Sequence, residues 1–270
     1  MKTMYKVLIS FIVGVCFIVA GVSIGGLNQI KMTQFPIFNH NNIEWISNKK
    51  EDIQYTTQSP VHELKLDTTI ADIEIHEKND IQDISVNIKN VYNGLKVYQE
   101  DDKLIITQPA YWQISGNSRK AKISMLVPKG FQFQEVDINT NTGKTYIENI
   151  YTKDLSIENN MGKLTMKNIV CHNMEVDTGM SQTDLNQVVC YQNLDVDLGM
   201  GKVNILLNQH KQDYSYSVDV GMGSVQIGNE EFSGFMEKTS HHNDSHHNDL
   251  GHCQIDVDCG MGSVKIEMED

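Results

Sequence analysis

From residue 61 onward the apolar side chains fall two apart in short runs: Leu64 and Leu66, Ile73 and Ile75, Ile84, Val86 and Ile88, Leu104 and Ile106, then Ile123, Met125 and Val127. Alternation with period two, β-branched residues and Asn, Asp or Gly between the runs mark half-buried strands. No stretch after residue 60 sustains a 3.6-residue apolar stripe, so the pattern predicts an all-β region over 61–270. Residues 7–27 differ: they are apolar except for Ser10 and Ser23 and long enough for a bilayer-spanning helix. The flanking Lys2 and Lys6 place residues 1–6 in the cytoplasm as a short stub and the bulk of the chain outside, as a single-pass membrane protein. A cleaved signal peptide competes with this reading, but the apolar run exceeds the usual apolar core of about 7–15 residues and no clear A-x-A site follows. Either way the rest of the chain is exported. Residues 28–60 are Asn-rich, with an apolar cluster from Phe35 to Phe38 and a lone Trp45, and read as a linker.

Aligning the chain on itself reveals a repeated unit. Six copies centre on Gly143, Gly162, Ser181, Gly201, Gly223 and Gly262, spaced 19, 19, 20, 22 and 39 residues apart. The last spacing is about two units, or one unit plus an insertion. Five residues before each centre stand Ile138, Ile157, Val176, Val196, Val218 and Val257, and four after it stand Ile147, Met166, Leu185, Ile205, Ile227 and Ile266. Seven before it stand Val136, Leu155, Met174, Leu194, Tyr216 and Ile255, and these three columns are expected to form the core. The column between the two preceding ones reads Asp137, Ser156, Glu175, Asp195, Ser217 and Asp256, so buried and wet positions alternate.

A unit this short cannot bury its own apolar face and must stack on its neighbours. The fold class expected is therefore an all-β, β-helix-like solenoid of short strands, preceded by one transmembrane helix. Rungs would stack about 4.8 Å apart, turning each column into a ladder. The recurring glycine fits a corner that needs positive φ, with Ser181 the one departure. An end rung near Asp270 would be open to pairing with another chain unless capped.

Charge narrows the functions. The chain carries a formal net charge of −13, and its first 30 residues hold Lys2 and Lys6 but no acid, so the exported part is more acidic still. Such a surface repels phosphate backbones and disfavours nucleic acid as a partner. The catalytic patterns end as near misses. Gly143-Lys144-Thr145 resembles the end of a phosphate loop, but Ile138 occupies the earlier glycine position. His62-Glu63 begins a zinc-protease pattern, but Leu66 stands where the second His belongs, and no Gly-x-Ser-x-Gly elbow occurs.

The segments Asp197-Leu198-Gly199-Met200-Gly201-Lys202-Val203, Asp219-Val220-Gly221-Met222-Gly223-Ser224-Val225 and Asp258-Cys259-Gly260-Met261-Gly262-Ser263-Val264 resemble the putative-adhesin, β-strand-repeat domains of unknown function found in bacterial envelopes. That family pairs an N-terminal membrane segment with a Gly-punctuated β-helix, and the resemblance covers roughly residues 61–270 as an architecture. It implies a surface protein without established catalytic residues or cofactor. The expected function is a membrane-anchored, non-catalytic binding, adhesion or structural module whose partner is a cell-surface polymer. An accessory to envelope-stress signalling, bound to an envelope membrane protein, is the alternative. A polysaccharide-cleaving β-helix enzyme is the third reading, and it rests on fold analogy alone.

Candidate chemistry lies in the ladders. Asp177, Asp197, Asp219 and Asp258, with Glu158 and Asn139, stand four before their centres, where a carboxylate column could recruit a hard cation such as Ca²⁺. The same residues could instead cap the turn N–H groups, the reading that turn chemistry favours. Met161, Met180, Met200, Met222 and Met261 precede the centres. They offer soft donors for Cu(I), though flexible packing beside the turn is the expected role. His241, His242, His246, His247 and His252 lie in an insertion expected at 231–252, and offer weak sites for Zn²⁺, Cu²⁺ or Ni²⁺; a plain polar insertion fits equally. Cys171 and Cys190 each fall nine after a centre, so they should stack within disulfide reach or form a buried thiol ladder.

Overall fold

The period-two alternation becomes extended backbone over most of the chain for which the computed structural model describes a fold: residues 52–91, 95–108, 120–210, 214–234, 236–240 and 253–269. The expected stub, the membrane helix at 7–27, most of the linker, Trp45 and all five clustered histidines lie outside the described residues. No helix among the described residues is long and apolar enough to cross a membrane. The strands described are β1 (Ile53–Thr56), β2 (Glu63–Lys78), β3 (Ser85–Lys89), β4 (Lys96–Glu100), β5 (Lys103–Thr107), β6 (Ala121–Pro128), β7 (Gln132–Thr178), β8 (Gln182–Leu198), β9 (Lys202–His210), β10 (Tyr214–Val220), β11 (Ser224–Ile227), β12 (Glu230–Ser233), β13 (Met236–Ser240), β14 (Cys253–Cys259) and β15 (Ser263–Glu269). The fold starts earlier than the expected boundary, because β1 lies inside the stretch read as linker and pairs with β3.

Each turn of the chain has three extended sides. In the rung centred on Gly162 they are residues 154–159, 163–167 and 169–171, and side chains alternate in and out along each. The three core columns expected from the repeat are all buried. Between the second and third sides the buried residues step by three, from Ile147 to Ile150, Met166 to Ile169 and Leu185 to Val188. Those steps are bridged by Asn149, Asn168 and Gln187, whose φ values of 60°, 54° and 58° turn the chain in the left-handed region. Asparagine tolerates that conformation better than most residues, and the Asn168 side-chain amide donates to Asn149 Oδ1 at 2.9 Å.

At four of the five glycine centres the corner works by another cause than the one expected; Gly143 alone of them has a positive φ, 155°. Gly162, Gly201, Gly223 and Gly262 lie outside the positive-φ region. What excludes a side chain there is the neighbouring rung. A Cβ on Gly201 would sit 2.2 Å from the Ser181 carbonyl oxygen, and one on Gly162, Gly223 or Gly262 would sit 2.6 Å from the corresponding oxygen of Gly143, Gly262 or Gly201. The corner glycines thus let two backbones close to hydrogen-bonding distance.

Parallel ladders give the order of the rungs, and it is not the order of the chain. On the first side, β8 pairs with β14 (Leu194 opposite Ile255) and β14 with β10 (Ile255 opposite Tyr216). On the second side, β9 pairs with β15 and β15 with β11. The rung centred on Gly262 is therefore inserted between those of Gly201 and Gly223. This explains the 39-residue spacing: the chain builds the outer rung, returns, and fills the place left beneath it. The other end has the same arrangement in the opposite chain order, since β2, which comes first, lies between β7 and the outer rung made by β5 and β6.

The expectation of an open rung near Asp270 is corrected accordingly. The outermost rung is the one centred on Gly223, and antiparallel β13 and β12 cover its two sides. At the opposite end antiparallel β4 covers β5, and β3 covers β6. Part of the predicted 231–252 insertion is thus cap rather than loop. Antiparallel strands, often short, are a common way to end a ladder that would otherwise add further strands.

Candidate functional site

The outward columns of the first side bring together acids that are far apart in sequence. Register places Asp67, Asn139, Glu158, Asp177, Asp197, Asp258 and Asp219 in one ladder, ending opposite Glu237 of the cap. Two residues earlier along each strand, Asp137, Ser156, Glu175, Asp195, Asp256 and Ser217 form a second ladder. An open furrow beside it is lined by Glu135, Asp154, Glu175, Asp195 and the amides Asn173 and Asn193. Asn173 donates to Asp154 Oδ1 at 2.7 Å and Asn193 donates to Asn173 Oδ1 at 2.8 Å, tying three rungs together.

Among the described residues, lysine reaches only one end of this surface. Lys65 pairs with Asp137 at 2.8 Å and Lys153 approaches Asp154 at 3.9 Å. Glu158 is held by amides instead, accepting from Asn139 at 2.7 Å and from Asn160 at 2.9 Å. Partial burial pushes the carboxyls of Asp177, Asp195 and Asp258 above their ordinary range. Neighbouring carboxylates add to it: Asp197 and Glu158 for Asp177, Asp256 and Asp197 for Asp195, Asp197 and Asp219 for Asp258.

The four predicted aspartates therefore do share a column, in the order Asp177, Asp197, Asp258, Asp219. The turn N–H groups they were expected to cap are bonded elsewhere: Gly199 N–H donates to Thr178 O at 2.9 Å, Gly221 N–H to Cys259 O at 2.9 Å and Gly260 N–H to Leu198 O at 2.8 Å. Among the described residues no three His, Cys, Asp or Glu side chains are gathered closely enough to hold a metal ion. The near-miss motifs are structural too. Lys144 N–H donates to Asp72 Oδ1 at 3.0 Å within a strand, and His62 Nδ1 lies 3.3 Å from Asp102 at one end of the stack.

Cys171 and Cys190 are opposite one another in the ladder, buried, and present as free thiols. The inserted rung adds a third: Cys190 shares hydrogen-bonding contact with both Cys171 and Cys253. Cys259 stands at the far end of β14 from Cys253, so those two cannot pair. The methionine column is the clearest departure from expectation. All five residues project into solvent rather than packing beside the turn. Sequence reasoning also missed the asparagine corner, whose signal was the step of three between buried positions.

Against known proteins, the family model Toastrack DUF4097 matches residues 61–205. No curated protein matches the chain. Among solved structures, a putative cell adhesion protein from Clostridium sporogenes aligns with a TM-score of 0.50 and 12% identity, over 82% of this chain and 100% of that one. A putative adhesin from Bacteroides fragilis aligns at 0.44 and 12% identity, over 81% and 98% of the two chains. A putative lipid binding protein from Parabacteroides distasonis aligns at 0.32 and 17% identity, over 81% and 97%. At such identities the likeness to the Clostridium structure speaks for the fold.

Proposed function

The chain belongs to the Toastrack DUF4097 family, and from that premise we propose that it is a non-catalytic binding module of the bacterial envelope, held at the membrane by residues 7–27 and using its acidic side to engage an extended, amine-bearing polymer. The observation that carries this reading is the run of Glu158, Asp177, Asp197, Asp258 and Asp219 across successive rungs, with no lysine paired to them among the described residues. A flat ladder repeats the same charge at each strand spacing, which suits a repeating cationic ligand better than a small molecule. Catalytic carboxylate pairs work at set separations about a bound sugar, whereas these columns are regular and open. The description of the Clostridium structure as a putative cell adhesion protein agrees with a binding role.

The test uses the full chain in detergent micelles, titrated with polylysine and with a de-N-acetylated glycan at low and high salt. Wild type should bind both and release them as salt rises. The D195N/D197N/D256N/D258N variant should bind about tenfold more weakly or worse. Equal binding by variant and wild type would overturn the assignment of this side. Protease treatment of intact cells checks the anchoring separately: residues 61–270 should be cut from outside while the membrane segment stays with the cells.

A further inference from the structure

Met161, Met180, Met200, Met261 and Met222 are exposed by 49%, 59%, 51%, 52% and 64%, in a fold whose other repeated apolar columns are buried. Backbone bonds at the corner put them side by side. Met180 N–H donates to Asn160 O at 2.8 Å, Met200 N–H to Gly179 O at 2.9 Å, Met261 N–H to Gly199 O at 2.8 Å and Met222 N–H to Gly260 O at 2.7 Å. Consecutive methionines are therefore one strand spacing apart, about 4.8 Å, in the spatial order 161, 180, 200, 261, 222.

Their flanks isolate them. Met180 is preceded by Gly179 and followed by Ser181, while Met200, Met261 and Met222 have glycine on both sides. Those glycines cannot drift, because a Cβ on Gly179, Gly260 or Gly221 would meet a carbonyl oxygen of the next rung at 2.8, 2.9 and 2.8 Å. At Met200, Met261 and Met222 the adjoining positions carry no side chain to stand between one thioether and that of the next rung. Packing does not account for the column, since leucine would pack as well and these side chains face water. What all five share is a neutral, polarisable sulfur on a flexible stem.

We propose that this ridge is a binding site for a soft monovalent cation, Cu(I), held by three thioethers from consecutive rungs. Soft sulfur ligands select Cu(I), while hard cations prefer carboxylate oxygens. Metal–sulfur bonds of about 2.3 Å in a trigonal arrangement put the sulfurs about 4 Å apart. Adjacent rungs are close to that spacing, whereas the outer two backbones of a triad lie about 9.6 Å apart, so the outer side chains each swing inward by about 3 Å over the middle one, within the reach of methionine's rotatable bonds. Five residues in a row give three overlapping triads: 161-180-200, 180-200-261 and 200-261-222. Met200 belongs to every triad, and Met161 to one.

The ranking that follows is testable on the full chain under anaerobic conditions, with Cu(I) supplied as its bicinchoninate complex and transfer read from the loss of colour. Wild type should withdraw one Cu(I). Met161→Leu should bind nearly as tightly, Met200→Leu should lose at least about tenfold in affinity, and the variant with all five replaced by leucine should lose this site altogether. Leucine keeps size and apolarity, so a circular dichroism melt close to wild type is expected for each. A five-leucine variant that still withdraws Cu(I) like wild type would assign binding to the cysteines or histidines and overturn the proposal, as would equal losses for Met161→Leu and Met200→Leu. As a second readout, Ag(I) added to methyl-¹³C-methionine protein should shift the methyl signals of the ridge and leave buried Met125, Met166 and Met174 unmoved. No shift among the ridge signals would equally overturn it.

Discussion

The first and second sides of the solenoid are built on the same ladder yet carry charge in opposite ways. On the first side acids face acids from rung to rung. On the second, Lys163 lies 3.4 Å from Asp184, Lys120 3.5 Å from Asp72, and Glu148 accepts from Tyr146 at 2.7 Å while His76 Nδ1 stands 3.1 Å from it. The inward columns fix the backbone, so the outward columns are free to be compensated or not. The second side shows that this scaffold can pair its charges, and the run of unpaired acids from Asp177 to Asp219 among the described residues of the first side is therefore a property of the sequence rather than of the fold. Like charges directly opposite each other cost stability, which points to a use outside folding.

The largest expected effect lies where the two sides join. Gly201→Val would place a branched side chain against Ser181 backbone, with a Cβ contact of 2.2 Å. Overpacking against backbone that cannot move should cost about 3 kcal/mol, and the urea midpoint should fall accordingly. Gly199→Ala is the control, because its nearest contact would be 3.3 Å and the neighbour can yield by tenths of an ångström. Equal losses for the two would mean that the close approach of rungs does not set the corner.

Next in size is the charge contrast itself. D195N/D197N/D256N/D258N removes four carboxylates from two adjacent rungs, and at about 0.5 kcal/mol for each relieved contact it should stabilise the fold by about 2 kcal/mol in urea unfolding. The same variant is expected to lose polymer binding, so stability and binding should move in opposite directions. A destabilised variant would mean that the acids are structural and would remove the contrast between the sides.

A smaller effect of opposite sign is expected on the second side. Asp184 accepts from Asn204 at 2.6 Å and from Gln182 at 2.8 Å besides its ion pair with Lys163. Asp184→Asn should therefore lower stability by about 0.5 kcal/mol, as exposed pairs usually do, and high salt should shrink the difference. An increase in stability would show that the pairing seen there contributes nothing.

Much of this was legible in advance. The repeat columns named the buried residues, and the carboxylate ladder was present as a column of Asp and Glu. The order of rungs was not legible, because β11 and β15 carry the same pattern, Ser224-Val225-Gln226-Ile227 against Ser263-Val264-Lys265-Ile266. Either could follow β9, and only the antiparallel caps, which need the outer place, decide between them. The third thiol of the Cys171, Cys190 and Cys253 group was hidden for the same reason. The methionine ridge was read as packing because residue type predicts burial only where neighbours exist, and flanking glycines leave none. The membrane helix and the histidine segment fall outside the described residues and stay expectations of the sequence.

The finest distinction between the sides is their response to pH. In the folded chain Asp177, Asp195 and Asp258 hold protons to higher pH than the ordinary 3.8, so above that value the folded state binds more protons than the unfolded one. Stability must then rise as pH falls from neutral through their raised range. Glu148 behaves oppositely. Tyr146 and His76 hold its carboxyl below the usual 4.5, so its contribution is present above that value and is lost only as pH falls beneath it. As pH falls from neutral towards the ordinary carboxylate range the acids of the first side should respond before Glu148 does, and because its carboxylates face water the gain should be about 0.5 kcal/mol. Urea midpoints across that window should climb for wild type and much less for D195N/D197N/D256N/D258N, which keeps only Asp177 of the three. A slope that survives the substitutions would move the proton uptake to groups outside this side and end the claim that the acidic ladder is strained by its own charge.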